Sequence, residues 1–230
     1  MPPPWLTVLA WCALGVGFAS AVWILYDIYV LRHNQPMRVM EAVWPITALY
    51  FGPVAVCGYR RFGRPMSQRW RQQQRRAGTP TNPGWAGIAV DVSHCGAGCT
   101  LGDIIAEFVV FGLGATVAGM ALVAEYIGDY IAAVALGIVF QYFAIAPMRG
   151  LSFREGIVAA AKADIVSLSA FEVGLFGWMA LMAFVFFPSP HLHPDNPVYW
   201  FLMQIGMILG FFTAWPANVW LIRSGIKEPM

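Results

Sequence analysis

Residues 101–147, LGDIIAEFVVFGLGATVAGMALVAEYIGDYIAAVALGIVFQYFAIAP, contain two long apolar runs on either side of a very short interruption. The first run extends from about Leu101 to Ala124, and the second from about Ile127 to Pro147. A helix needs about 20 apolar residues to cross the hydrocarbon core of a bilayer. The stretch therefore predicts two transmembrane helices that pack as an antiparallel hairpin.

The rest of the chain has the same character. Of its 230 residues, 59% are hydrophobic and 11% are charged, whereas soluble domains average about 25% charged residues. Four more apolar segments meet or approach the length of a span; they run from about Trp5 to Leu31, Val43 to Tyr59, Ile165 to Phe187 and Val198 to Ile222. We expect an all-α integral membrane protein with about six transmembrane helices.

The positions of Lys and Arg predict the orientation of these helices. Of the 14 basic residues, all but Arg32 and Arg38 lie between the second and third spans, between the fourth and fifth, or after the sixth. The positive-inside rule then places both termini in the cytoplasm, in a bacterial inner membrane. Asp27, near the outer end of the first span, is expected either to extend its carboxylate to the membrane surface or to pair with Arg32.

The same pattern divides the chain into three parts. Residues 1–59 hold the first two transmembrane helices, 60–93 form a basic cytoplasmic loop, and 94–230 form a four-helix transmembrane domain. The net charge of +2 is too balanced for a protein that binds nucleic acid by neutralising phosphates.

A His/Cys motif, Ser93-His94-Cys95-Gly96-Ala97-Gly98-Cys99, stands at the entrance to the third span. Cys95, Cys99, Asp103 and Glu107 are spaced four apart, so they would share one face of a continuous helix. Thiolates and imidazole suit Cu(I) or Zn(II), and a helix N-terminus would favour the thiolate form. The alternative is that Gly98 and Gly102 serve close helix packing and the cysteines only fill space.

Four acidic residues lie in or next to two of the predicted spans: Asp103 and Glu107 in the third, Glu172 in the fifth, and Asp164 directly before the fifth. A charge in hydrocarbon costs about 2.5 to 3.5 kcal/mol or more, so such residues mark a pathway or a buried pair. Lys162 is the obvious internal cation. We expect a polar cavity, open toward the cytoplasm, that holds a metal ion or relays protons; a static hydrogen-bonded network is the alternative.

Two further pairs could bind a metal. Met203 and Met207 lie one turn apart on the sixth span, and thioethers bind Cu(I), although methionine is also an ordinary filler of apolar cores. His191 and His193 in an outer loop form either a metal pick-up site or a polar turn.

Several phrases of the sequence resemble a known family. They are residues 93–103 (SHCGAGCTLGD), 161–164 (AKAD), Trp200-Phe201 with Met203-Gln204, and Gly225-Ile226-Lys227-Glu228. The chain resembles, from Trp44 onward, a bacterial multi-pass membrane protein family of unknown function (domain of unknown function 4396). The resemblance implies a multi-pass helical membrane protein and carries no established activity.

We expect a membrane protein, rather than an enzyme, that binds or transports a transition metal ion, with copper as Cu(I) the first choice. The predicted ligands are His94, Cys95, Cys99, Asp103, Glu107, Asp164, Glu172, Met203 and Met207. Two alternatives stay open: a non-catalytic accessory or assembly subunit, and a thiol redox protein that uses Cys95 and Cys99. The lipid bilayer is the expected partner, with assembly into a homo-oligomer or a larger membrane complex.

Overall fold

The computed structural model describes residues 2–73, 84–150 and 152–227, and for 145–149 it describes the backbone alone. Residues 74–83 of the predicted basic loop and Glu228 lie outside the described residues. The helices are α1 (Pro4–Leu25), α2 (Met40–Phe51), α3 (Pro53–Gly58), α4 (Gln68–Gln73), α5 (Gly84–Leu113), α6 (Ala121–Arg149), α7 (Phe153–Leu181) and α8 (Pro197–Arg223). Turns of π-helix extend α1 to Val30, α3 to Gly63 and α7 to Phe186.

Within these described ranges, 5 helical segments are long and apolar enough to cross a membrane: Pro4–Val30, Gly84–Leu113, Ala121–Ala144, Phe153–Phe186 and Pro197–Arg223. The expectation of an all-helical protein of membrane type is confirmed. The count of six is not, because the segment from Val43 to Tyr59 does not form one long helix. It is divided between α2 and α3.

The two short helices form a hairpin that enters the bundle and returns to the same side. Gly52 joins them with φ +54, a conformation that glycine adopts without steric cost. At the far end of α3, the ring of Tyr59 packs 5.7 Å from that of Trp44 in α2. The Tyr59 hydroxyl also donates a 2.7 Å hydrogen bond to Asp27 at the end of α1. The hairpin therefore ends where it began, beside the C-terminal end of α1.

The tip of this hairpin lies against the middle of α1 and is fastened to α8. A Cβ placed on Gly52 would lie 3.5 Å from the side chain of Val16. Because Pro53 has no N–H, the carbonyl of Leu49 lacks the donor that a helix normally supplies four residues later. Gln204 of α8 replaces it by donating a 2.6 Å hydrogen bond to that carbonyl.

The long helices alternate in direction. Trp85, at the start of α5, packs 5.2 Å from Phe62 at the end of the hairpin, so α5 begins on the side where α1 ends. Residues 114–120, 150–152 and 187–196 then connect α5 to α8 in series. Pro4 and Arg223 consequently lie at opposite faces of the bundle, contrary to the expectation that both termini share a side.

This topology gathers the described Lys and Arg residues toward the face where α8 ends. Some of these basic residues lie on the segments that connect helices at that face. The others lie on a helix that begins there, within about three turns of its first residue. The opposite face carries none in residues 2–31, 114–120 or 187–196.

Small residues let α5 and α6 approach closely. A Cβ on Gly98 would lie 2.9 Å from the Cα of Gly137, and one on Gly102 would lie 2.6 Å from the backbone nitrogen of Ala133. Such approach is typical of helix pairs in membranes. It places the polar side of α5 directly against α6.

Candidate functional site

The His/Cys motif lies inside α5 rather than at its start. The helix begins at Gly84, about three turns before Cys95. His94, Cys95 and Cys99 are all fully buried. The prediction that a helix N-terminus activates these thiols is therefore wrong, because the backbone around them is already hydrogen-bonded within the helix.

The four-residue spacing does produce a buried stripe along α5. Cys95, Cys99, Asp103 and Glu107 each have 0% exposure. From Cys95 to Glu107 the stripe extends about 18 Å at 1.5 Å per residue. It passes through the middle of the helix toward the end at Leu113, so it is not confined to the half near Gly84 as the sequence suggested.

Two acidic side chains of α7 meet this stripe. Asp164 is fully buried, and its carboxyl group lies near the Cys95 thiol. Two helical turns further, Glu172 lies near the thiol of Cys99 in the same way. The structure thus brings together the thiols of α5 and the carboxyl groups of α7.

α6 contributes further acidic groups to this region. Asp129 is fully buried, and its carboxyl group lies near that of Glu107. Glu125, one turn before it, lies near Glu107 and near His191. The four-residue interval between Glu125 and Asp129 is the same signal that marked the stripe on α5, and it could have revealed this pair.

We call the resulting series the acidic file. Its members, in order from the 187–196 loop toward the end of α8, are Glu125, Glu107, Asp129, Asp103, Glu172, Cys99, Cys95 and Asp164.

A cavity of about 290 Å³ lies at the first end of the file. Its lining includes Glu125, His191, His193 and the thioethers of Met179 and Met182. Tyr199 also lines it, and the hydroxyl of this residue lies near Glu107. The cavity therefore connects the imidazoles of the loop with the interior of the bundle.

Positive charge is scarce along the file. Lys227 is the only buried Lys or Arg in the described part of the chain, with 3% exposure. Its ammonium nitrogen lies 3.7 Å from Oδ1 of Asp164. Lys162, which the sequence suggested as the internal cation, is exposed. Both carboxyl oxygens of Asp103 are buried without a hydrogen-bond donor among the described residues.

The predicted metal ligands share one region but do not converge on a point. Among the described residues there is no group of 3 or more His, Cys, Asp or Glu side chains that could hold a metal ion. The ring of His94 packs against Phe140, with centroids 6.2 Å apart. Met203 and Met207 belong to the buried hydrophobic cluster that also contains Cys95 and Cys99.

A second polar cluster lies beside the hairpin. Asp27 is fully buried; its Oδ2 is 3.3 Å from Nδ1 of His33 and its Oδ1 is 3.3 Å from Nη2 of Arg64. Tyr59 donates the third contact, at 2.7 Å. The expected pairing of Asp27 with Arg32 is replaced by Arg64, because the hairpin returns that residue to the end of α1.

Comparison with known proteins gives one match. A family model described as a domain of unknown function (DUF4396) matches residues 84–227, so the chain belongs to this family, as the resemblance predicted. The match begins at α5 rather than at Trp44 and includes the whole acidic file. No curated protein and no solved structure matches the chain.

Proposed function

We propose that this member of the DUF4396 family carries a cation across a membrane along the acidic file, and that the cation is a transition metal ion, with Cu(I) the first choice. The observation that carries the proposal is the unpartnered carboxyl group of Asp103 beside three further buried acids, Glu107, Asp129 and Glu172. Neighbouring carboxylates in a low-dielectric interior repel one another. A mobile cation, such as a soft metal ion that enters the file, removes that repulsion.

The thiols in the file favour a soft metal ion. Cys95 and Cys99 are neighbours near the Asp164 end of the path, and thiolate ligands select Cu(I). Structural Zn(II) sites have four ligands in a tetrahedron, whereas two thiolates are enough for Cu(I). The lack of a three-ligand group among the described residues is therefore consistent with Cu(I) as a passing substrate. Met203 and Met207 are thioethers available nearby.

The distribution of charge supports an orientation for this path. By the positive-inside rule, the face that collects Lys and Arg is cytoplasmic, so Pro4 and the cavity at His191 are on the outer side. The location we propose is a bacterial inner membrane.

Labelling of single cysteines tests the orientation. In a Cys12→Ser/Cys57→Ser background, Thr116→Cys reacts with a membrane-impermeant maleimide on intact cells. Gln68→Cys reacts only after permeabilisation. The reverse pattern would invert the proposed direction.

The proposed transport is tested with the full chain in liposomes that contain a Cu(I)-sensitive dye. We expect Cu(I) entry with the wild type and little entry with Cys95→Ser/Cys99→Ser. The matched control is Cys12→Ser/Cys57→Ser, which changes the two exposed cysteines and keeps wild-type entry. Equal entry with both double variants, each shown to be folded by its thermal transition, contradicts a role for the buried thiols.

A second candidate, proton transfer, is favoured by the proximity of two buried acids, Glu107 and Asp129. Adjacent carboxyl groups exchange protons readily, and chains of acidic residues serve as relays in membrane pumps. The same liposomes with a pH-sensitive dye distinguish the two cases. A proton path is blocked by Asp103→Asn and keeps its rate in Cys95→Ser/Cys99→Ser, whereas a Cu(I) path loses its rate in both.

A further inference from the structure

The segment after α8 turns back into the bundle and buries a lysine. α8 ends at Arg223, and Gly225 follows with φ +71, which reverses the chain. The backbone N–H of Lys227 donates to the carbonyl of Leu221 at 3.2 Å. This turn directs the Lys227 side chain inward, where it has 1% exposure.

The lysine ammonium group is held by oxygen atoms from two helices. It donates a 3.0 Å hydrogen bond to Oδ1 of Asn218 and lies 3.7 Å from Oδ1 of Asp164. The amide of Asn218 is itself oriented, because its Nδ2 donates to Ser167 at 2.6 Å and to the carbonyl of Ala214 at 3.0 Å. Its carbonyl oxygen is thereby presented to the cation.

This arrangement stands at the last position of the acidic file. Asp164 lies beside the ammonium on one side and near the Cys95 thiol on the other. Both of its oxygens lack a hydrogen bond of normal geometry from the described residues. The carboxylate therefore keeps capacity for a cation that arrives along the file.

We propose that Asp164 and Asn218 form the innermost cation site of the file, and that the ammonium of Lys227 occupies this site as a tethered competitor and closes it. This inference rests on the proposed function, because it treats the file as a cation path. A cation leaves the file only by displacing Lys227. The turn at Gly225 is the segment that moves when this happens.

Replacing the lysine tests the competition. In the liposome assay, Lys227→Ala raises Cu(I) entry several-fold over the wild type. Lys227→Arg keeps a cation in the site, so its rate of Cu(I) entry stays at the wild-type level. Lys162→Ala removes an exposed lysine close to Asp164 in sequence, and it leaves the rate unchanged. A folded Lys227→Ala protein with an unchanged or lower rate of Cu(I) entry would overturn the proposal that Lys227 closes the site.

Chemical rescue tests the site by a second route. Propylammonium replaces the missing part of the side chain, so it lowers Cu(I) entry through Lys227→Ala and raises the Tm of that variant. The uncharged propanol does neither, and Lys227→Ala/Asp164→Asn gains no stability from the ammonium. Loss of this selectivity would overturn the cation site.

The two proposals fail in different ways. If the wild type and every variant carry no Cu(I), the transport function is wrong. Selective stabilisation of Lys227→Ala by propylammonium would still support the cation site in that case. If wild-type transport is present and propylammonium has no effect on Lys227→Ala, the site is wrong and the function stands.

Discussion

Asp27 and Asp103 are both fully buried acidic residues, but their surroundings differ. Asp27 has three partners, His33, Arg64 and Tyr59, and two of them carry or can accept a positive charge. Asp103 has three acidic neighbours and no hydrogen-bond donor among the described residues. The first carboxyl group is compensated by the fold itself, whereas the second requires something that the described side chains do not supply.

This difference separates a structural role from a functional one. A buried carboxylate with its own cation and donors fastens helices together, as Asp27 fastens α1 to the end of the hairpin. A buried acid without them lowers the stability of the protein unless a ligand or a proton compensates it. The comparison therefore indicates a stabilising role for the Asp27 cluster and supports the cation path that we propose for the acidic file.

The largest expected effect comes from removing the compensated acid. Asp27→Ala leaves Arg64 and His33 without their partner, and breaking a buried ion pair in this way costs about 3 kcal/mol of unfolding free energy. Asp103→Asn removes no such contact and changes the unfolding free energy by less than about 1 kcal/mol. Unfolding of both variants in detergent measures the difference. Equal losses would remove the distinction between the two regions.

The next effect comes from separating α5 and α6. In Gly102→Val, Cβ would lie 2.6 Å from the backbone nitrogen of Ala133, and overpacking of this kind costs about 1–3 kcal/mol. The displacement also parts Glu107 from Asp129, so cation entry falls. Gly112→Val, where the added carbon meets nothing within 4 Å, is the control. A folded Gly102→Val protein with normal entry would show that the file tolerates a wider spacing.

A smaller effect comes from the contact that joins the two regions. Gln204→Leu leaves the carbonyl of Leu49 without the donor that Pro53 cannot provide, which costs about 1 kcal/mol. The variant lowers the midpoint of thermal unfolding, whereas Gln72→Leu on the exposed face of α4 does not. An unchanged midpoint for Gln204→Leu would indicate that the hairpin tip is held by apolar packing alone.

The smallest effect on stability is expected at the outer end of the file. Tyr199→Phe removes only the hydroxyl near Glu107, so the unfolding free energy changes by less than about 0.5 kcal/mol. Cation entry falls several-fold because the link between the cavity and Glu107 is lost. Tyr26→Phe, at a residue with 51% exposure, is the control for the substitution. Normal entry with Tyr199→Phe would place the path elsewhere.

The long helices and the stripe on α5 could be predicted from the sequence, because hydrophobic length and four-residue spacing are local properties. Membership of the family could be predicted for a related reason, since the phrase at 93–103 is distinctive. The break at Gly52 was visible as a Gly-Pro pair, but an apolar run of nearly span length is equally consistent with one helix. Only the contacts of Tyr59 with α1 and α2 distinguish a hairpin from a span.

The remainder of the candidate site depends on tertiary contacts. Asp129 is close to the predicted boundary of a helix, where an acid is normally solvated, and it is buried because α6 begins earlier than its hydropathy indicates. Lys227 follows the last span and is typical of a cytoplasmic anchor in sequence. The turn at Gly225 and the oriented amide of Asn218 make it an internal cation, and neither has a local signature.

The gathering of Lys and Arg at one face also determines how the file responds to voltage. With that face in the cytoplasm, as we propose, an inside-negative potential of 100 mV contributes about 2.3 kcal/mol for each elementary charge that crosses. A monovalent cation that enters beside His191 and leaves at Asp164 moves down this potential, so uptake needs no other energy source. The same field draws the ammonium of Lys227 toward the cytoplasm and away from Asp164. On this proposal, an energised membrane drives the ion inward and also favours the state in which Lys227 has left Asp164.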